Sequence, residues 1–188
     1  MVSLFKMVSL SNFFVIVVMK LFLLFVLTIA VSFVNIFSNE KMIGKKAYNF
    51  TLRDQHDNTH YWTSFKGKPT IIILSDRAGS DFVDNWVKPL QKSLGSKVKF
   101  VPVAEVSSAP GFVHGLIRSG IRDKYNYPLY LDWDGDTYKY YQCKAEVPNL
   151  YFVGSDEKIA ITTSGKGTKN EVSAFIENVE KLIEPKSK

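Results

Sequence analysis

A single thiol, Cys143, is the one nucleophilic sulfur in a chain of 188 residues. A reactive cysteine needs a helix N-terminus or neighbouring cations to lower its pKa. Gln142-Cys143-Lys144 offers only Lys144. Two readings stand side by side: a reactive thiol, or the small, partly buried residue that free cysteine often is. A second group is Asp76, Arg77 and Ser80, just before a helical pattern. Backbone N–H groups at a helix start bind anions, and a guanidinium adds a fork of donors, so these residues form a candidate site for a small anion or carboxylate. The same residues would equally make a local Asp76–Arg77 ion pair and a Ser80 cap.

Other polar residues carry weaker chemistry. His56 and His60 have the i, i+4 spacing that holds zinc on a helix. Here they flank a turn, so no metal site is expected. Asp132, Asp134 and Asp136 begin like a calcium loop, but Thr137 and Cys143 occupy the positions that need Gly and Glu. Asp132 is read instead as ending a strand and capping the next element. His114 lies in an apolar stretch without an identifiable Ser or Cys partner. Tyr125, Tyr127, Tyr130, Trp133, Tyr138, Tyr140 and Tyr141 interleave with Lys124 and Lys139. They read either as a binding face for peptide or glycan, or as core with an amphipathic rim.

The elements that position these residues are set by periodicity. Ala47–Leu52 alternates Tyr48, Phe50 and Leu52 against polar residues and predicts a strand. Residues 54–58 (DQHDN) predict a turn, and Thr59–Trp62 a returning strand, so an N-terminal β-hairpin is expected. Thr70–Leu74 (TIIIL) is a continuous β-branched run of the kind buried on both faces. Ser80 is expected to cap a helix with Phe82, Val83, Trp86, Val87, Leu90 and Leu94 on its apolar face, kinked or stopped at Pro89. Val98–Val103 and Leu129–Leu131 predict strands. Pro110–Ile121 predicts a short helix with Phe112, Val113, Leu116 and Ile117 apolar. Asn149–Val153 and Ile159–Thr162 predict two strands about a turn. Thr168 and Glu171 predict a capping box opening a helix whose stripe is Val172, Phe175, Ile176, Val179, Leu182 and Ile183. Strands alternating with helices predict an α/β domain with a mixed sheet over residues 43–183.

Composition bounds the rest. With 46% apolar and 14% aromatic residues the chain builds a real core. One Cys excludes an intramolecular disulfide and a Cys-rich zinc module. Formal charge is +6, but residues 1–39 carry two lysines and no acid. The remaining 22 basic and 18 acidic residues leave +4, which does not point to nucleic acid. Lys20, the apolar Leu21–Ile29 and Ala30-Val31-Ser32 have the parts of a signal peptide over 1–32. Residues 13–37 are also long enough for an uncleaved membrane anchor. Either way the folded part is expected outside the cytoplasm, periplasmic or secreted, touching membrane only through this segment.

Four stretches resemble one known family. Residues 43–54 (IGKKAYNFTLRD) resemble the opening of peroxiredoxin (AhpC/TSA) and TlpA-like redoxins, roughly G-x-x-A-P-x-F-x-L-x-D. Phe65-Lys66-Gly67-Lys68-Pro69 before TIIIL resembles their strand entry. Val147-Pro148 resembles the cis-proline loop of the thioredoxin fold. Phe152–Ile159 resembles the hairpin after it. The resemblance implies a thioredoxin-like fold: a central mixed β-sheet flanked by helices, with a cis Val147–Pro148 bond. Redoxins carry their reactive Cys after the central strand at the first long helix, where the dipole stabilises a thiolate. Residues 75–82 (SDRAGSDF) hold none, Gly79 and Phe82 standing at the approximate C-x-x-C positions. The resemblance therefore implies a redoxin-like domain without the catalytic cysteine. It would bind an unknown protein or small molecule at the former active-site face, with Asp76, Arg77, Ser80 and Pro148 as candidate ligand residues and no cofactor. The alternative is a thiol-dependent peroxidase or oxidoreductase using Cys143.

Overall fold

A computed structural model describes residues 40–183; the targeting segment expected over 1–32, or 13–37, lies outside the described residues. Seven strands form one sheet: β1 (Thr51–Asp54), β2 (Thr59–Tyr61), β3 (Thr70–Ser75), β4 (Lys99–Glu105), β5 (Tyr130–Asp132), β6 (Asn149–Val153) and β7 (Ile159–Ser164). Their spatial order is β2-β1-β5-β4-β3-β6-β7. The centre, β5-β4-β3, is parallel, and both flanks are antiparallel. Four helices cross between strands or close the chain: α1 (Val83–Leu94), α2 (His114–Lys124), α3 (Asp136–Tyr140) and α4 (Lys169–Ile183).

Strand β3 is buried at every position, as its β-branched run requires. Alternation sends Ile71 and Ile73 to one face and Ile72 and Leu74 to the other. The first face packs under Trp86, Leu90 and Leu94 of α1 and Val172, Phe175 and Val179 of α4. The second is covered by Met42, Phe50, Trp62, Tyr141 and Tyr151. Each such side chain, fully buried, contributes roughly 1.5–3 kcal/mol. The capping box opens α4 as expected: Thr168 N donates to Glu171 Oε2 at 2.7 Å, and Glu171 N to Thr168 Oγ1 at 3.4 Å.

Four expectations are corrected. The first strand begins at Thr51, not Ala47. Before it, Ala47 N donates to Glu157 O and Tyr48 N to the Tyr141 hydroxyl, so these groups bond loops and a side chain in place of a ladder. Helix α1 runs through Pro89 to Leu94 without stopping. Helix α2 buries none of its residues, and Phe112 and Leu116 stand 89% and 74% exposed. The Val147–Pro148 bond is trans, as are all peptide bonds among the described residues. The trans form is the ordinary preference for X-Pro by about 0.5–1 kcal/mol, and the loop turns instead at Glu146, whose φ is 65°.

Candidate functional site

The segment between β3 and α1 is held by one carboxylate. Asp76 Oδ1 accepts from Gly79 N at 2.7 Å, and its Oδ2 accepts from Glu146 N at 2.8 Å. Both oxygens are thus occupied by backbone donors, and no Asp76–Arg77 ion pair forms among the described residues. Ser80 does not cap. Its hydroxyl donates to Arg77 O at 2.7 Å, and a tight turn over Gly79–Phe82 precedes α1, which starts at Val83. Asp76 instead supplies the local cap, its carboxylate accepting from the N–H three residues ahead as Asx side chains do at helix starts.

Gly79 is buried directly beneath the 146–148 loop. A Cβ there would lie 2.8 Å from Val147 C and 3.0 Å from Val147 N and O. That loop is itself fixed by buried Asn149. Its Nδ2 donates to Lys144 O at 2.8 Å and Val147 O at 2.9 Å, and its Oδ1 accepts from Lys144 N at 2.8 Å. Backbone therefore fills the space in front of Gly79.

A cavity of about 350 Å³ opens beside this turn, at the carboxyl ends of β3 and β4 and against α2. Ligand sites of open α/β sheets occupy such positions. Asp76, Arg77 and Ser80 all line it. Pro148, grouped with them from sequence, does not: it is buried, with its carbonyl accepting from Gly165 N at 3.1 Å. Sequence reasoning missed the opposite wall, Glu105 at the end of β4, Val106 after it, and Ile117, Ile121 and Lys124 of α2. The i, i+4 pair Ile117–Ile121 was the available signal, but periodicity does not distinguish a cavity wall from a core face.

Cys143 stands away from this cavity. Burial pushes its thiol up to about 12, and the Asp132 and Asp76 charges push the same way, against a contact to Tyr151. The sulfur is 3.7 Å from the Tyr151 hydroxyl, which donates to Tyr141 O at 2.7 Å. With that proton committed, the thiol is the donor to Tyr151. This half-buried setting disfavours the thiolate, the opposite of what a reactive cysteine needs.

The other candidates are structural. His60 Nε2 meets Asp54 Oδ2 at 2.9 Å and stacks on Tyr130, while His56 is exposed. Among the described residues no group of three His, Cys, Asp or Glu is placed to hold a metal. Asp132 ends β5 and its Oδ2 accepts from Tyr138 N at 2.9 Å, capping α3; burial pushes its carboxyl up. His114 stacks on Trp133 with centroids 3.7 Å apart, and its Nε2 contacts Ala109 O. Of the aromatic series, Tyr130 and Tyr141 are core, Trp133 and Tyr138 half-buried. They form no continuous exposed face.

No family model matches the sequence, and no curated protein does. Solved structures do match in fold. Peroxidoxin BcpB of Mycobacterium tuberculosis superposes with TM-score 0.56 at 15% identity, over 77% of this chain and 99% of its own. An exposed lipoprotein thioredoxin of Streptococcus pneumoniae gives 0.54 at 16%, over 70% and 99%. MTB DsbF gives 0.52 at 16%, over 70% and 95%. The fold is thioredoxin-like, and the chain that adopts it has one cysteine, which does not lie between β3 and α1.

Proposed function

We propose that this is an exported thioredoxin-fold domain that binds a partner or small ligand without thiol redox chemistry. The observation that carries the reading is the cavity of about 350 Å³ beside the β3–α1 turn. It lies beside the stretch between β3 and α1 where the family resemblance places a redoxin's nucleophile, and its lining, with Asp76, Arg77 and Ser80, contains no sulfur. Its volume is within the usual range for small-molecule sites, roughly 300–1,000 Å³. Peroxide or disulfide chemistry needs an accessible thiolate, whereas Cys143 is half-buried and its thiol is pushed up to about 12.

Export belongs to the same reading. It is supported by Lys20, the Leu21–Ile29 run and Ala30-Val31-Ser32, and by a fold neighbour described as an exposed lipoprotein. N-terminal sequencing from the native host is expected to begin near Phe33; a full-length protein in the cytoplasmic fraction refutes it.

The test of function has two arms. Purified protein is expected to reduce neither insulin disulfides nor hydroperoxides above a denatured control. A small-molecule fragment screen by NMR is expected to give hits that shift resonances of Ile117 and Ile121 and that disappear in Ile121→Trp, which fills the cavity from its wall. Peroxidase turnover abolished by Cys143→Ser, or a screen with no hits at this cavity, overturns the proposal.

A further inference from the structure

The cavity carries two cations and two carboxylates, and their states differ. Asp76 has both oxygens engaged by backbone N–H groups. Glu105 Oε1 accepts from Ser107 N at 2.9 Å and from the Ser107 hydroxyl. Arg77 and Lys124 have no carboxylate partner among the described residues. Lys124 is held first by Tyr125, another cavity residue, through a side-chain hydrogen bond and with its Nζ 5.1 Å from the ring centroid. Asp81 of the preceding turn and Asp84 of α1 act on it more weakly, neither lines the cavity, and Asp84 is paired with Lys88 at 2.8 Å. Both carboxylates thus point their oxygens at protein donors, while Arg77 has no side-chain partner among the described residues and Lys124 shares only the neutral Tyr125. The rest of the wall is largely apolar, with Val106, Ile117, Ile121 and Leu129.

We infer that the cavity takes a small amphiphilic carboxylate, with its apolar body against Val106, Ile117, Ile121 and Leu129 and its anionic head on Arg77 and Lys124. This inference rests on the ligand-binding reading above and names the ligand class. A carboxylate offers the guanidinium two parallel hydrogen bonds, which an alcohol of the same length does not. The apolar body supplies affinity in proportion to the area it loses from water, without direction. Selectivity for the anion therefore resides in the two cations, and salt is expected to weaken it because both are near the surface.

The probes are octanoate, octan-1-ol and octylammonium, titrated by NMR and calorimetry into wild type, Arg77→Gln, Lys124→Gln and Ile121→Trp. Arg77 and Lys124 are exposed, so the charge variants are expected to fold with unchanged melting temperature. Octanoate is expected to shift the cavity resonances and to bind roughly 10-fold or more tightly than the other two probes. Each charge variant is expected to weaken it roughly 3- to 10-fold, as loss of a charge-assisted hydrogen bond does. Ile121→Trp is expected to abolish it. Binding of octan-1-ol or octylammonium at this cavity as tightly as octanoate, or octanoate affinity unmoved by both charge variants, overturns the anion inference and leaves the ligand-binding reading standing. Absence of any shift at the cavity with all three probes overturns the inference. If the fragment screen then also gives no hit there, the broader reading falls with it.

Discussion

Gly79→Ala tests the claim that backbone closes the space in front of residue 79. The new Cβ would stand 2.8 Å from Val147 C, with Val147 N and O at 3.0 Å. Real Cβ atoms do not approach backbone so closely, and Val147 is held through Asn149 and through Glu146 N on Asp76. Forcing a methylene into such a site costs about 1–3 kcal/mol. Alanine returns about 0.4–1 kcal/mol by narrowing the unfolded chain, since φ at residue 79 is not one that requires glycine. The net expectation is a loss of about 1–2 kcal/mol, a fall in Tm of roughly 2–8 °C for a domain of this size. Urea and thermal unfolding read it directly. The amide of Glu146 should lose exchange protection in the same variant as the loop lifts. Gly79→Cys is expected to behave like alanine with a larger penalty, so a C-x-x-C graft at 79 and 82 fits only if the 146–148 loop moves. A Gly79→Ala protein as stable as wild type, with Glu146 unchanged, would show that the loop does not press on this glycine and refute the reasoning.

The same geometry sets four further outcomes. Cys143 in the native protein is expected to resist iodoacetamide at pH 8 and to react at the free-thiol rate in urea; rapid native alkylation contradicts its burial. Burial pushes the Asp54 carboxyl up, but hydrogen bonds from His60, Asn58 and the backbone N–H groups of Asn58 and His56 outweigh it and bring the value to about 2. Because that folded value is below the unfolded 3.8, the stabilisation is present above pH 4 and lost as pH falls toward 2. Its size is about 2 kcal/mol, so acid unfolding of Asp54→Asn should be shallower over that range; identical profiles contradict the pairing. Asn149→Ala leaves the Lys144 N–H and two carbonyls without their partners and should cost about 2–4 kcal/mol by chemical denaturation; a loss below about 1 kcal/mol contradicts the loop anchor. Hydrogen exchange should find α2 less protected than α1 or α4, because it buries no side chain; equal protection contradicts that ranking.

The features legible in the sequence were local. The β3 run, the 54–58 turn and the Thr168–Glu171 box each depend on residues within a few positions of one another, and each stands where the pattern put it. Ala47–Phe50 misleads because its alternation is real but its N–H groups find partners about a hundred residues away, at Tyr141 and Glu157. Ser80 misleads because its hydroxyl donates back to Arg77 O, inside a tight turn that ends before α1 starts at Val83. Phe112 and Leu116 mislead because apolar helical spacing is silent about whether anything covers the face. Of the four candidate ligand residues, Asp76, Arg77 and Ser80 come together at one cavity since they share a turn. Pro148 does not, because its position depends on a loop whose path is set by Asn149 and Gly79.

That path also decides where a ligand has room. A thioredoxin-like sheet presents the end of β3 to solvent between the first helix and the proline loop. Here the loop settles on a glycine, and the one carboxylate nearby, Asp76, ties both sides together. The open volume is left on the other flank, toward β4 and α2. Helix α2 is attached by polar and aromatic contacts: Arg118 to Asp57 at 3.3 Å, Arg122 to Gln55 O at 3.2 Å, and His114 stacked on Trp133. Exposed ion pairs of this kind contribute little, about 0–1 kcal/mol each. The cavity has one wall held lightly by α2 and an opposite wall held by the central strands, the arrangement the proposed ligand site requires. The close approach of Val147 to Gly79 thus closes the space in front of that glycine and leaves the open volume toward β4 and α2.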